Sequence, residues 1–326
     1  MYSTHLISAV SLSAHRSFAK TYLSLFAMAS FQTTLLNFLS LRATYGKNYG
    51  KLLLNDKPLD SDTFKKECFF VEQYDNNWPH ITVRETCTFA AQLFGIVKEN
   101  DITTAVLDIL DAMGLTDDLN TRNKNLSGGQ QRRLSLAVAL LKKPKVLFLD
   151  EVTSGLDSSS ADRVCKILRQ IVDEEHIIVI CTIHQPSTKV FLNYFNHLIL
   201  LSKGRCAYAG GTSSAEDYFA DLGHPIPAMT NPSEHYLELI NSDFGGTATV
   251  EKIIKTWSER MTETNAFVNM EQSQNKSEIA SLQDCEVTKK NSLFRETQIL
   301  LKRHFLMVCR DVSLSDVCVF LHLMSA

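Results

Sequence analysis

An α/β fold built on a mostly parallel sheet is the architecture this sequence predicts, and two observations carry it. From Asp101 to Ala209, stretches of helical apolar spacing alternate with short unbroken apolar runs. That alternation is how a chain lays down parallel strands with crossover helices between them. One of the runs, residues 145–150, leads directly into a carboxylate pair, Asp150 and Glu151. Open α/β sheets bind their ligands beyond the carboxyl ends of their strands, so this strand end is where a site belongs.

The elements follow in order. Phe70-Val71-Glu72-Gln73 closes a short apolar run. Residues 102–113 place Val106, Ile109, Leu110 and Met113 at helical spacing, with Gly114 as a stop. Ser127-Gly128-Gly129 opens a helix that continues through residues 134–141. Residues 145–150 read as a strand buried on both faces. Residues 161–172 are helical again, and the β-branched run 177–182 is a second buried strand. Residues 198–201 and 206–209 flank Gly204 and read as a hairpin. From about Asp243 the pattern changes: Gly245-Gly246-Thr247 interrupts it, and residues 251–289 are polar, which predicts a mobile linker around one or two solvated helices. Residues 292–310 regain amphipathic spacing, with Phe294, Leu301, Phe305 and Val308 beside Arg295, Lys302 and Arg303. Such a helix either packs on the domain or lies at a membrane interface. Residues 312–326 are apolar enough to begin a span.

Composition bounds the function. The 326 residues are 44% hydrophobic and 21% charged, sufficient for one large domain with a sizeable core. A net charge of −3 gives no electrostatic case for a nucleic-acid partner. Eight scattered cysteines without a CxxC pair suit free thiols in a reducing compartment. No acid precedes Asp56, whereas Arg16, Lys20, Arg42, Lys47 and Lys51 all do; an acid-poor, Ser-rich start suits an irregular leader or a transit peptide.

Four groups of residues carry chemistry. In Leu126-Ser127-Gly128-Gly129-Gln130, two glycines at a helix start let a phosphate approach backbone N–H groups at the positive end of the helix, and Ser127 adds a hydroxyl. Asp150 suits a Mg²⁺ coordination sphere and Glu151 suits polarisation of an attacking water; the plainer alternative, two acids capping a helix, is countered by the turn Ser154-Gly155-Leu156-Asp157, which carries its own carboxylate into a helix at Ser158. His184 ends the next buried strand, where an imidazole reaches a γ-phosphate oxygen and the attacking water. Gln73, after another strand, is placed to touch Mg²⁺ and relay nucleotide state.

Together these residues resemble the ATP-binding domain of ABC transporters, an ABC-type P-loop NTPase fold of mostly parallel sheet plus a helical signature subdomain. The resemblance runs from about Thr33 to Ala326: signature motif 126–130, Walker B 146–150 with Glu151, D-loop 154–157 with Asp157, H-loop His184 and Q-loop Gln73. Thr82-Val83-Arg84-Glu85, Thr182-Ile183-His184-Gln185-Pro186-Ser187, Gly223-His224-Pro225 and Asn231-Pro232-Ser233-Glu234 resemble the G subfamily, the White and pleiotropic-drug-resistance type. The resemblance implies ATP and Mg²⁺ as cofactors. It implies catalytic roles for Glu151 and His184, and nucleotide contacts from Ser127, Gly128, Gly129, Gln130, Gln73 and Asp157. Mg²⁺ would be held by Asp150, Gln73 and Thr33. It further implies a second ABC ATPase domain as partner, in a homo- or heterodimer, a membrane domain outside this chain, and a membrane-associated protein with its ATPase domain on the cytoplasmic side.

One family element has no counterpart. The string G-x-x-x-x-G-K-[ST] should precede Thr33-Thr34-Leu35-Leu36-Asn37, but Phe26, Phe31 and Gln32 stand where two glycines and a lysine are needed. Phenylalanine prevents backbone N–H groups from closing around phosphates, and glutamine supplies no cation. Residues 1–25 also leave no room for the family's preceding strands and adenine-stacking aromatic. The domain expectation is therefore a divergent leader over 1–32, the ATPase domain over 33–242 with its helical subdomain at about 76–140, and a polar linker over 243–290. An amphipathic connecting helix follows over 291–311, then the start of a truncated membrane segment over 312–326. Three histories fit: an exporter ATPase incomplete at both ends, a catalytically dead partner lending its signature motif to another subunit, or a soluble ABC-type ATPase of the chromosome or translation kind.

Overall fold

The computed structural model of the protein describes residues 9–12, 21–26, 29–43, 51–54, 57–95, 98–272 and 291–311. In chain order these form strands β1 (Ala9–Leu12) and β2 (Thr21–Phe26), helix α1 (Ala29–Leu39), strands β3 (Lys51–Leu54) and β4 (Lys57–Pro58), helix α2 (Ser61–Glu67) and strand β5 (Cys68–Val71). Helices α3 (Val83–Phe94), α4 (Ile102–Ala112) and α5 (Gly128–Leu141) follow. Then come β6 (Val146–Leu149), α6 (Ser158–Glu175), β7 (Ile178–Thr182), α7 (Thr188–Tyr194), β8 (His197–Ser202) and β9 (Arg205–Gly211). Helices α8 (Thr212–Asp221), α9 (Pro232–Ile240), α10 (Thr247–Gln272) and α11 (Leu293–Arg310) complete the described chain.

The chain divides into two compact units, the first of residues 1–73, 145–154 and 161–285 and the second of residues 74–144, 155–160 and 286–326. The first unit holds a six-stranded sheet ordered β5-β6-β7-β2-β8-β9 and a three-stranded sheet ordered β1-β3-β4. In the larger sheet every pairing is parallel except the β8–β9 hairpin. All four residues of β6 and all five of β7 are buried, as unbroken apolar runs require of strands covered on both faces. Leu35, Leu36 and Leu39 of α1 pack with Cys68, Phe148, Ile178 and Ile180 in one core cluster.

Two regions differ from the sequence reading. Residues 1–32 are expected to be a leader with no room for preceding strands, yet β2 runs through the sheet between β7 and β8, pairing Tyr22 with both Ile180 and His197. The run Thr21-Tyr22-Leu23-Ser24-Leu25-Phe26, with Thr, Tyr and Phe among its six residues, suits a strand. The polar stretch beginning near Asp243 is expected to hold one or two solvated helices, but its helix is packed rather than solvated on one side. Residues 247–272 form α10, with Val250, Ile253 and Ile254 buried. Val250 lies one helical turn before Ile253 and Ile254, a narrow apolar stripe that average polarity conceals. The rest of the expected linker, 273–290, and the expected membrane segment, 312–326, lie outside the described residues.

In the second unit, α3 begins at a capping box: Thr82 Oγ1 accepts from the Glu85 amide while the Glu85 carboxylate accepts from the Thr82 amide. Helix α11 attaches to this unit through Ile299 and Met307, which cluster with Ile81 and Phe89. Arg310 forks onto Glu85 with N–O distances of 2.6 and 2.9 Å. The Arg303 guanidinium lies over the Trp78 ring at 5.0 Å, and Asn291 Nδ2 donates to the carbonyls of Gln92 and Leu93 at the end of α3.

Candidate functional site

The site grows from the tips of three adjacent strands. Beyond β6, Asp150 is buried at 4% exposure, and its amide still bonds the Val71 carbonyl of β5 at 3.0 Å. Glu151 then turns into the left-handed backbone region, at φ 44°. A non-glycine residue adopts that region at a cost, and only where its surroundings hold it. The turn lifts the Glu151 side chain to Gln73, two residues past β5, whose Nε2 donates to Glu151 Oε2 at 2.7 Å. Thr182, the last residue of β7, closes the arrangement from the other side. Its Oγ1 accepts the Glu151 N–H at 2.6 Å and donates to Asp150 Oδ1 at 2.8 Å, and its carbonyl accepts the Val152 N–H at 3.2 Å. The structure thus brings Gln73, Asp150 and Glu151 together as the strand pattern expects, and adds Thr182, which motif reading misses.

His184 stands exposed two residues beyond β7. The turn that presents it is fixed from a distance. Gln185 has φ 47°, and the carbonyl of Pro186 accepts from Asn231 Nδ2 at 2.9 Å and from Ser233 Oγ at 3.0 Å. Ser233 is fully buried, and Asn231 also caps α9 by accepting from the Ser233 amide. The motif Asn231-Pro232-Ser233 therefore braces the histidine turn. Its sequence signal is the Asn-Pro N-cap pair; its long-range partner is not visible in the sequence.

The signature residues belong to the second unit. Ser127 caps α5 by accepting from the Gln130 amide at 3.3 Å, and Gln130 Oε1 accepts the Ser127 amide at 2.8 Å. Gln130 Nε2 donates to Asp118 Oδ2 at 2.6 Å. The glutamine side chain is thus committed to shaping the helix start on which Gly128 and Gly129 lie. A β-carbon on Gly129 would come within 3.0 Å of Ser160 Oγ, so glycine there permits the close approach of the 155–160 segment. Asp157 caps α6, its Oδ2 accepting from the amides of Ser159 and Ser160 at 3.1 Å each. Hydrogen bonds from Ser160 hold the Asp157 carboxyl below its ordinary range. Helix α5 is also tied to the segment after Gln73: buried Arg132 pairs with Asp75 at 3.3 Å, and Asn77 Nδ2 donates to Ser135 Oγ at 3.0 Å.

Thr33 sits half-buried on α1. That helix starts at Ala29, so Phe31 and Gln32 already lie within it, while residues 27–28 are outside the described residues.

Comparison with known proteins bears on the family and the fold. Residues 32–154 match a family described as "ABC transporter", and residues 184–315 match one described as "ABC-2 type transporter". The second match runs in part against the expectation of a membrane domain lying outside this chain, although no helix among the described residues is long and apolar enough to cross a membrane. Similar proteins include ABC transporter G family member 16 of Arabidopsis thaliana, 36% identical over 249 residues that cover 73% of this chain and 34% of the relative. ABC transporter G family member 4 of the same plant is 37% identical over 212 residues, 65% of this chain and 36% of the relative. ABC multidrug transporter G of Aspergillus fumigatus is 35% identical over 250 residues, 74% of this chain and 18% of the relative. The chain spans about a third or less of the length of these curated relatives. Among solved structures, cbiO1 of Clostridium perfringens, part of the ABC transporter complex cbiONQ, superposes with a TM-score of 0.53 at 23% identity, covering 63% of this chain and 80% of that one. That likeness shows the shared ATPase fold. The family matches and the relatives show that the chain belongs to the G family of ABC transporters.

Proposed function

We propose that this chain is the nucleotide-binding part of a G-type ABC transporter and couples ATP binding and hydrolysis to export across a membrane. The observation that carries the proposal is the carboxylate pair at the β6 tip, one acid buried, the other aimed at Gln73 at 2.7 Å. Asp150, Gln73 and Thr33 carry carboxylate, amide and hydroxyl oxygens, the hard donors Mg²⁺ takes, and would hold the ion, which would neutralise phosphate charge. Glu151 orients the attacking water and takes its proton, and His184 stabilises the γ-phosphate. Ser127 and Gly129, at the positive end of α5, close a nucleotide held by a second ATPase domain. Gln130 shapes that surface, and Gln73 and Asp157 join the nucleotide contacts. The exported class (lipid, sterol or drug-like) is set by the membrane half, and the ATPase units face the cytoplasm.

The run Phe26 to Thr33 favours a second reading. Without glycines or a lysine it gives no phosphate cradle, so the chain lends its signature face to a partner's site while its own stays silent. The test is Mg-ATP hydrolysis by the purified chain carrying Phe26→Gly, Phe31→Gly and Gln32→Lys. Restored turnover that Glu151→Gln abolishes supports the hydrolytic reading. A repaired chain that binds ATP but never hydrolyses it leaves the silent-partner reading standing.

A further inference from the structure

We propose that Thr182 is a positioning residue that holds Asp150 and Glu151 in working register, an inference that rests on the ATPase reading above. The sequence motif around it gives a chemical role to its histidine alone, yet the threonine is where the two carboxylates are joined. Its side chain is fully buried and makes two bonds at once, accepting from the Glu151 amide at 2.6 Å and donating to Asp150 Oδ1 at 2.8 Å. The sheet register explains the placement. Leu149 is paired with Cys181, so the next residues of the two strands, Asp150 and Thr182, are lateral neighbours. The chain then leaves the strand at Glu151 with a positive φ, and the hydroxyl supplies the hydrogen-bond partner for its amide.

One hydroxyl therefore does two things. It stabilises the left-handed residue that points the Glu151 carboxylate at Gln73, and it fixes one oxygen of Asp150, leaving the orientation of the other determined. Valine has the same shape and strand preference but does neither. Serine does both. Thr182 itself is buried beneath the pair, so its effect on chemistry passes through Asp150 and Glu151.

The experiment compares the full chain with Thr182→Val and Thr182→Ser by two readouts. Amide hydrogen exchange at Glu151 is expected to lose about five- to tenfold protection in the valine variant and recover in the serine variant, while exchange in β8 and α5 stays unchanged. Steady-state Mg-ATP hydrolysis, measured in the background carrying the three cradle substitutions, is expected to fall about 10- to 100-fold in kcat with valine, with KM for ATP within about twofold, and to return with serine. Glu151 exchange that is the same in all three chains overturns the clasp. Exchange that changes while kcat does not overturns its positioning role. If no form hydrolyses ATP, the ATPase reading fails, and the positioning role falls with it, whereas the exchange data still decide whether the clasp exists.

Discussion

Replacing Glu85 by glutamine and by alanine separates two contributions that one carboxylate makes at once. Glu85 accepts the Thr82 amide in the capping box of α3 and receives the Arg310 fork from α11. Glutamine still closes a capping box but carries no charge, so Glu85→Gln removes mainly the ion pair. Both partners are a little over a quarter exposed, so the bidentate pair is partly screened and contributes about 0.5–1.5 kcal/mol. Glu85→Ala also removes the box, for about 1.5–2.5 kcal/mol in total. The chain has two tryptophans. Trp78 lies beneath Arg303 of α11, so its fluorescence in a Trp257→Phe background follows this attachment during urea unfolding. The pH dependence has a definite sign. Arg310 holds the Glu85 carboxyl below its ordinary value of 4.5, so the ion-pair stabilisation is complete above that pH and is lost as pH falls through the depressed value. The gap between wild type and Glu85→Gln is therefore expected to be constant from pH 7 to 6 and to shrink below 4.5. A gap of zero at pH 7, or equal costs for glutamine and alanine, refutes the reasoning.

The remaining expectations concern the site and its supports. Gly129→Ala forces a β-carbon against Ser160 and is expected to cost about 1–3 kcal/mol, whereas Gly128→Ala, whose nearest neighbour is Leu156 at 3.7 Å, stays within about 1 kcal/mol in the same melts. Ser233→Ala leaves the Pro186 carbonyl one donor and is expected to cost about 1 kcal/mol; Asn231→Ala also uncaps α9 and costs about 1–2 kcal/mol, both read by chemical denaturation. Burial pushes the thiols of Cys87 and Cys165 up to about 12, so at pH 8 iodoacetamide is expected to label exposed Cys309 in the native chain and to leave those two untouched, as peptide mapping would show.

What was legible in the sequence was whatever depends on near neighbours. The run 146–149 announces a strand buried on both faces, and 102–113 announces a helix with its stop, because apolar period and a glycine suffice. The spacing of Ser127 and Gln130 is itself a capping-box signal, and the structure forms that box. Illegible were the contacts made across long stretches of chain. Nothing near Thr182 reveals that its hydroxyl meets residues 31 and 32 positions away. Pro186 and Ser233 meet only because α9 returns to the turn after β7. The buried packing of α10, where a solvated helix is expected, was hidden for another reason. Val250, Ile253, Ile254 and Trp257 sit at helical spacing, but the surrounding charges lower the average that marks a linker.

The position of β2 has a consequence for how the protein is made. Its neighbours β7 and β8 come late: Tyr22 must wait for Ile180 on one side and His197 on the other. At 5–20 residues per second, that wait is roughly 10–35 s during synthesis. Meanwhile the amides and carbonyls of an apolar strand have no permanent partners. The helices α3, α4 and α5 emerge in that interval and close on one another without it. Release of the nascent chain before β7 therefore leaves β2 open on both sides, and release between β7 and β8 leaves it open on one.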